Sequence, residues 1–470
     1  MKKLLFISLA VVLALSFGLI GCEGEGEGEE GPTPSDTIVL AASVSETGPL
    51  ADVHNLAKKP MLDKWLADNP TMTVGSETYD VEKAYLDDAS SLSNMLDNTD
   101  TIIDGIHEGT YHVLLGPTCT AFLEAQAPKT TTGKVVQMTM EGGATSLIDQ
   151  LQDFEYSFIS LSFSNWFEIP VFAKMIKEAH TAYNASDPCS AYIGYQNDDH
   201  GLEYKGEAEK YFAKEGITVD GTYAMTSGDT GANAAMISAA KAAESDILCA
   251  FAYPEHVFGT AAVAEGLGYN PKAMIIGPGG NFGVYGAPFI AGADAEGVMC
   301  FAVANNKTTT GTAGALMTAM EADPSIGFFN TDYWGAPLYW ASLQMLQEAV
   351  ENVGSDNDGD GFTVDQDDLR NYLRTNKFTT VLGETWYVTP KYALNATQYS
   401  WPDADLEWPV PLGSAGLLNY KCHTGEIGQW QSGYIEIIGY DGIGGGGDEY
   451  ELTNYETTGS IVYPKPAWTP

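Results

Sequence analysis

The stretch Val113–Phe122, VLLGPTCTAF, decides how the chain folds. Val113-Leu114-Leu115 is a short apolar run of the kind that makes a buried strand. Gly116-Pro117 stops it and turns the chain, and Thr118, Cys119 and Thr120 lead into a helical pattern, AFLEAQA. Three small side chains and several unpaired N–H groups thus meet at a helix N-terminus, a setting that suits a carboxylate or another small polar group. Alone, the corner reads as a plain strand-to-helix turn capped by Thr118 or Thr120. It becomes a site where neighbouring corners converge on it.

Outward from this corner, strand-like and helix-like segments alternate from Thr37 onward. TIVLAASV, TYDVEKAYLD, HVLLG and KVVQMTM are each followed by a helical pattern, and FEYSFISLS precedes NWFEIPVFAKMIKEAHTAY. The alternation starts again with SAYIGYQ, GITVDGTYA, SDILCAFAY and KAMIIGP. Such alternation predicts parallel sheets covered by helices on both faces. Two runs with a break near residues 155–163 predict two similarly built lobes. Ligands of open parallel sheets bind beyond the carboxyl ends of the strands. The loops that matter are therefore Ser45–Ala51, Gly116–Thr120, Thr139–Thr145, Tyr195–Gly201, Tyr253–His256 and Gly277–Gly283.

The 470 residues carry a formal net charge of -41. The length exceeds one small core and fits two lobes, and the 44% hydrophobic content is ample for a packed body. Such acidity argues against nucleic acid and anionic membrane surfaces as partners. Arginine occurs only at Arg370 and Arg374, so an anion elsewhere must rely on N–H groups, hydroxyls or lysine.

Met1-Lys2-Lys3 followed by the apolar run Leu4–Ile20 reads as a signal peptide, residues 1–21. Its ending, Leu19-Ile20-Gly21-Cys22, resembles a bacterial lipobox, which implies acylation of Cys22. Residues 22–36, rich in glycine and glutamate, read as a flexible tether. The expectation is an extracytoplasmic body tied to a bacterial membrane by lipid alone. The other cysteines, at 119, 189, 249, 300 and 422, form no CxxC pair or zinc pattern. Cys249 and Cys300, in apolar runs, are expected to behave as small core hydrophobes.

SVSETGPLA, LDDAS, VLLGPTCT, AYIGYQNDDHG, FAYPEH, MIIGPGG and GQWQSGYIEII, in this order and spacing, resemble the periplasmic leucine/isoleucine/valine-binding family. The resemblance covers roughly residues 37–440. It implies an α/β protein of the type I periplasmic-binding fold: two Rossmann-like lobes with parallel central sheets, joined by a three-strand hinge. The crossovers are expected near 156–163, 297–304 and 382–392. Lobe 1 is then 37–158 plus 302–385, and lobe 2 is 159–301 plus 386–470. The implied function is capture of a small polar organic ligand, an amino acid, amide or related carboxylate, for delivery to an ABC permease. A ligand-sensing receptor subunit and a lipoprotein enzyme are the alternatives.

The resemblance also assigns residues. Thr120, beside Thr118 and Cys119, matches the hydroxyl that holds a ligand carboxylate. The next corner corresponds to Glu141, Gly142 and Gly143, with Ala144-Thr145 the alternative register. Tyr253 matches the aromatic of the second lobe, while Trp166 and His200 stand at cleft-facing positions or, equally, as a core aromatic and a surface histidine. The ammonium-binding glutamate of the family aligns with Gly279, which has no side chain, so an amine on the ligand would need Glu141, Asp198, Asp199 or Glu255. The disulfide partner of Cys119 aligns with Ser90, which leaves Cys119 a thiol.

Asp356-Asn357-Asp358-Gly359-Asp360-Gly361, followed by Phe362 and Asp367, matches the calcium-loop spacing D-x-D-x-D-G-x5-acid. Carboxylates of Asp356, Asp358, Asp360 and Asp367 with the Phe362 carbonyl would form an oxygen cage for structural Ca2+. The alternative is a solvated acidic turn. Catalytic patterns fall short: His107-Glu108 with His112 has one residue too many for a zincin helix, and Gly277-Pro278-Gly279-Gly280 completes no dinucleotide fingerprint. No catalytic residues are assigned.

Overall fold

The computed structural model describes residues 37–139, 153–160, 168–286, 295–356, 361–390, 406–418, 427–439 and 457–468. The strands, in chain order, are β1 Thr37–Val44, β2 Thr71–Val74, β3 Glu77–Asp87, β4 Val113–Leu115, β5 Gln137–Thr139 and β6 Ser157–Ile159. They continue as β7 Ser190–Gln196, β8 Thr218–Met225, β9 Ile247–Phe251, β10 Ala273–Gly277 and β11 Val298–Phe301. After the short ribbons β12 Ser355–Asp356 with β13 Phe362–Thr363 and β14 Phe378–Thr380 with β15 Gly383–Thr385 come β16 Tyr387–Pro390, β17 Leu406–Glu407, β18 Gly416–Leu418, β19 Ile427–Gln431 and β20 Tyr434–Ile437. The helices that frame the site are α1 Leu92–His107, α2 Thr120–Thr132, α3 Ile169–Asn184 and α4 Asp199–Lys214.

Two sheets result, ordered β17-β16-β18-β6-β5-β4-β1-β3-β2 and β20-β19-β11-β10-β9-β7-β8. Pairing is parallel from β18 through β6, β5, β4 and β1 to β3, and from β11 through β10, β9 and β7 to β8. Central parallel strands are covered on both faces and so read as unbroken apolar runs. β4, β9, β10 and β11 are accordingly buried at every position. Cys249 and Cys300 lie in these strands with no exposed surface, as their apolar settings predict.

The chain passes between the sheets after β6, after β11 and between β18 and β19. The third passage differs from the expected 382–392. Residues Tyr387–Leu418 extend the first sheet, β18 running parallel to β6 and β16 antiparallel to β18, and only β19 and β20 join the second. The free edge of β6 accounts for this: Tyr387 packs its ring 5.0 Å from Phe158, which places β16 in the first lobe. The sequence from 386 onward has no strong strand-helix alternation, so its lobe was not readable from pattern alone.

The last strands, β19 and β20, and the segment 457–468 close the second lobe. The Gln429 side chain donates to the Val462 carbonyl (3.0 Å) and accepts from the Val462 N–H (2.8 Å). Trp430, 1% exposed, donates from Nε1 to the Gly280 carbonyl at 2.8 Å, fastening β19 beneath the loop that follows β10. Trp430→Ala is expected to cost about 3–5 kcal/mol of stability, and Trp430→Phe about 1–3 kcal/mol, for the orphaned carbonyl. Chemical denaturation of the two variants measures both.

Candidate ligand-binding cleft

Strand order places the site. In the first sheet the chain leaves β1 toward β3 on one side and returns to β4 on the other, so β1 and β4 flank a crevice. The loops leaving these two strands are Ser45–Leu50 and Gly116–Cys119. They are tied across the crevice by the Ser45 N–H, which donates to Thr118 Oγ1 at 2.9 Å. Lys58 Nζ donates to the Pro117 carbonyl at 2.6 Å and holds the same corner from behind. Thr118 and Thr120 are 0% and 2% exposed, and Thr120 opens α2, so hydroxyls and helix N–H groups gather where the sequence put them.

The β1 loop is fixed by the acidic pair that ends β3. Asp88, fully buried, accepts from Ser45 Oγ (2.6 Å), Ser43 Oγ (3.3 Å) and Ser90 N (2.8 Å). Burial pushes its carboxyl above the usual range, although these three donors oppose the shift. Asp87 accepts from the N–H groups of Glu46 and Thr47 at 3.0 and 3.2 Å. Ser90 supplies a hydroxyl to the Thr47 carbonyl (2.8 Å) and accepts from Leu50 N (3.0 Å). Cys119 is a buried thiol, not half of a disulfide. Hydroxyl bonds at Ser90 fasten the β1 loop to the end of β3.

The second sheet repeats the device. Its crevice lies between β7 and β9, from which the chain diverges to opposite sides. Asp198 caps α4 by accepting from Gly201 N at 2.9 Å. A Cβ on Gly201 would stand 2.0 Å from the Gln196 carbonyl oxygen, so only glycine lets the helix start this close to its strand. That tight turn seats His200, 6% exposed, with its ring stacked on Tyr253 (5.7 Å, 10°) and edge-on to Tyr204 (4.7 Å). Burial lowers the His200 pKa against the opposing charge of Asp198, so the ring is neutral. Its Nε2 is buried and bonded to no described group.

The two crevices face each other. Tyr253 of the second lobe packs in one apolar cluster with Leu50, Val53, Met95, Cys119 and Phe122 of the first. The structure therefore brings together Thr118, Cys119, Thr120, His200 and Tyr253. Two further predicted residues are engaged by their own neighbours. Glu255 turns its carboxylate to Ser227 Oγ, to the Gly228 N–H (3.2 Å) and to His256. Gly279 has φ +125°, a Cβ there would meet Val257 Cγ2 at 2.9 Å, and its N–H already donates to Asn281 Oδ1 at 2.7 Å. Glu141, Gly142, Gly143 and Trp166 lie outside the described residues, as does Cys22.

Sequence reasoning missed Asp88 as the anchor of the β1 loop and Glu124 as a cleft residue. Asp88 stands in the quoted LDDAS, whose register against Ser43 and Ser45 is visible only in the sheet. Glu124 is the lone acid of its helix, with no local pattern to mark it. In the calcium-type loop, Gly361 has φ +95° and Phe362 pairs with Asp356 in the β12–β13 ribbon. Asp365, outside the predicted ligand set, caps the next helix by accepting from the N–H groups of Asp367 and Asp368, both at 2.9 Å. Asp367 Oδ1 is held by Tyr156 Oη and by Arg370 at 3.1 Å. Asp358 and Asp360 lie outside the described residues.

Comparison with known proteins agrees with this architecture. A family model described as periplasmic binding protein matches residues 75–396, well over half of the chain. The chain belongs to the periplasmic binding protein family, a family of extracytoplasmic ligand-binding proteins rather than of enzymes. Its fold is shared with a leucine-binding protein of Thermotoga maritima MSB8 (15% identity, TM-score 0.58, 85% of this chain and 97% of that one). It is shared also with a solute-binding protein of an ABC transporter from Rhodopseudomonas palustris BisB5, solved with 3,4-dihydroxybenzoic acid (17%, 0.57, 75% and 89%). An extracellular ligand-binding receptor from Rhodopseudomonas palustris HaA2 is a third (15%, 0.59, 85% and 99%). No curated protein matches the sequence. The resemblance to the branched-chain amino acid binders thus holds at the level of family and fold. Among the described residues no helix is long and apolar enough to cross a membrane.

Thr118→Val removes the acceptor of the Ser45 N–H while keeping the shape of the side chain. It is expected to lower stability by about 1–2 kcal/mol. Hydrogen exchange should quicken at the Ser45 amide, and Thr118→Ser should restore its protection.

Proposed function

We propose that this protein captures a small polar organic ligand between its lobes and hands it to an ABC permease, tethered to a bacterial membrane through an acylated Cys22. One observation carries the reading: both sheets offer a strand-order crevice, and the two crevices meet face to face around Thr118, Thr120, His200 and Tyr253. Hydroxyls and the N–H groups of α2 suit a carboxylate or carbonyl end. The neutral His200 ring and Tyr253 suit a planar or apolar body with a hydrogen-bonding tip. A ligand that touches both lobes favours the closed arrangement by its differential affinity, and the permease reads that closure.

The ligand class stays within amino acids, amides and related carboxylates. Position 279 offers no carboxylate and no room for one, which favours an amine-free acid over a zwitterion held there. A thermal-shift screen of the lipid-free body with branched and aromatic amino acids, amides, and aromatic and aliphatic acids tests this. A ligand at 100 times its Kd should stabilise by about 2.7 kcal/mol. Hits are expected among the amine-free acids, and His200→Ala and Tyr253→Ala are each expected to weaken a hit about tenfold or more. The bound compound should be recovered unchanged; turnover would overturn the binding reading.

We also propose that Asp356, Asp358, Asp360, Asp367 and the Phe362 carbonyl hold a structural Ca2+. The left-handed Gly361 and the ribbon pairing of Asp356 with Phe362 support it, since such a loop needs a sharp bend before its carbonyl ligand. Chelation is expected to lower the melting temperature by several degrees while leaving ligand affinity within about twofold. Calorimetry with EDTA and with added Ca2+ checks it.

A further inference from the structure

The base of the second lobe, at the ends of β7 and β9 away from the cleft, gathers a nitrogen, a sulfur and an oxygen donor. His180 lies near the end of α3, Cys189 immediately precedes β7, and Asp246 immediately precedes β9. A ring nitrogen of His180, the Cys189 sulfur and a carboxylate oxygen of Asp246 all lie within 4.8 Å of one another. His180 and Cys189 are 1% and 2% exposed, and Cys189 is a thiol rather than half of a disulfide. The Asp246 side chain keeps 16% exposure, which leaves an entry path from solvent. The three positions are too distant in the chain to form a motif; the pairing of β7 with β9 brings Cys189 and Asp246 together.

Each donor is held as a coordinating side chain needs to be. His180 Nε2 lies 2.9 Å from the Asp187 carbonyl. A carbonyl only accepts, so Nε2 carries the proton and Nδ1 keeps the lone pair. Tyr463 Oη donates to that lone pair at 2.6 Å. The charges that act on the Tyr463 hydroxyl, after burial, are first those of Cys189 and Asp246, so Nδ1 looks toward the same two groups. Asp246 accepts from the Ser190 N–H at 3.2 Å through Oδ2 and pairs with Lys272 at 2.8 Å through Oδ1. Each of its oxygens still has a second lone pair to give. Burial, and then the charge of Asp246, push the Cys189 thiol up to about 11, so without a cation the sulfur keeps its proton.

A dication held by one thiolate and one carboxylate has no net charge, which suits a buried place. A mixed nitrogen, sulfur and oxygen set favours Zn2+ over the oxygen-seeking Ca2+ and Mg2+. Tetrahedral Zn2+ with bonds of about 2.0–2.3 Å needs its donors about 3.3–3.6 Å apart, within reach of small side-chain rotations. We propose that His180 Nδ1, the Cys189 thiolate and the Asp246 carboxylate bind Zn2+ and so tie α3 to the starts of β7 and β9. On binding, the thiol proton leaves to solvent, the Tyr463 hydroxyl gives up Nδ1 to the metal, and water takes the fourth position. The segment that carries Tyr463 stays docked through the Lys465 N–H, which donates to the Lys272 carbonyl at 2.7 Å.

The test strips the lipid-free protein with EDTA, dialyses it against Zn2+ and measures the metal retained, with Co2+ as the optical probe. Wild type is expected to retain one Zn2+ per chain and to melt several degrees higher with it. With Co2+ it should show a near-ultraviolet thiolate-to-cobalt band and the intense visible bands of a four-coordinate site. Cys189→Ser and His180→Gln are expected to lose both the Zn2+ and the thiolate band. Tyr463→Phe removes the competitor for Nδ1 and is expected to bind Zn2+ at least as tightly as wild type. X-ray absorption of the Zn2+-loaded wild type, which depends on no variant, should find one sulfur at about 2.3 Å among nitrogen and oxygen neighbours. No Zn2+ retained by wild type, equal retention by Cys189→Ser, or a shell without sulfur would overturn the site. Displacement of the Zn2+ by excess Ca2+ would assign it to an all-oxygen loop and overturn the proposal as well.

Discussion

The bond from the Ser45 N–H to the Thr118 hydroxyl spans the place where the first sheet changes winding direction, and the cleft depends on it. Two strand ends part there, so the backbone donors of the loops that leave them need partners outside the sheet. A hydroxyl short enough to sit in the crevice satisfies one such donor, beside the N-terminus of α2. Asp88 adds to this by gathering three serine and backbone donors under the same loop. The cost is a carboxylate taken out of water, offset by charge-assisted hydrogen bonds.

The second lobe solves the same problem with rings instead of hydroxyls. Gly201 lets α4 begin against the end of β7, and His200 is then stacked on Tyr253 and edged by Tyr204. Tyr204 also stacks on Phe251 and Phe301, at 5.3 and 5.1 Å, so the aromatic wall of the cleft continues into the core of the sheet. A hydroxyl-lined floor opposite an aromatic wall defines the kind of guest admitted. Such a guest has one polar end and a flat or apolar remainder.

Charge shapes the motion between the lobes. A chain of net charge -41 resists bringing two acidic bodies together. Closure must therefore bury apolar contacts, as the Tyr253 cluster does, or neutralise charge where the bodies meet.

The alternation of apolar strands with amphipathic helices, and its restart after residue 163, was enough to determine two parallel sheets and the corners that line a cleft. Parallel strands buried on both faces admit few polar residues, so their pattern survives in a single sequence. The loops that hold Thr118, Thr120, His200 and Tyr253 were legible for the same reason, since they follow such strands; the residues themselves were singled out by the family resemblance. What the sequence left undecided depends on contacts between distant segments. Tyr387–Leu418 joined the first sheet because β6 had an open edge beside Phe158, which no local pattern records. Gly279 proved to be enclosed by Val257 and bonded to Asn281, and Glu255 was drawn to Ser227 and Gly228. Periodicity specifies which face of an element is buried; which carboxylate meets which partner is settled only when the elements are packed together.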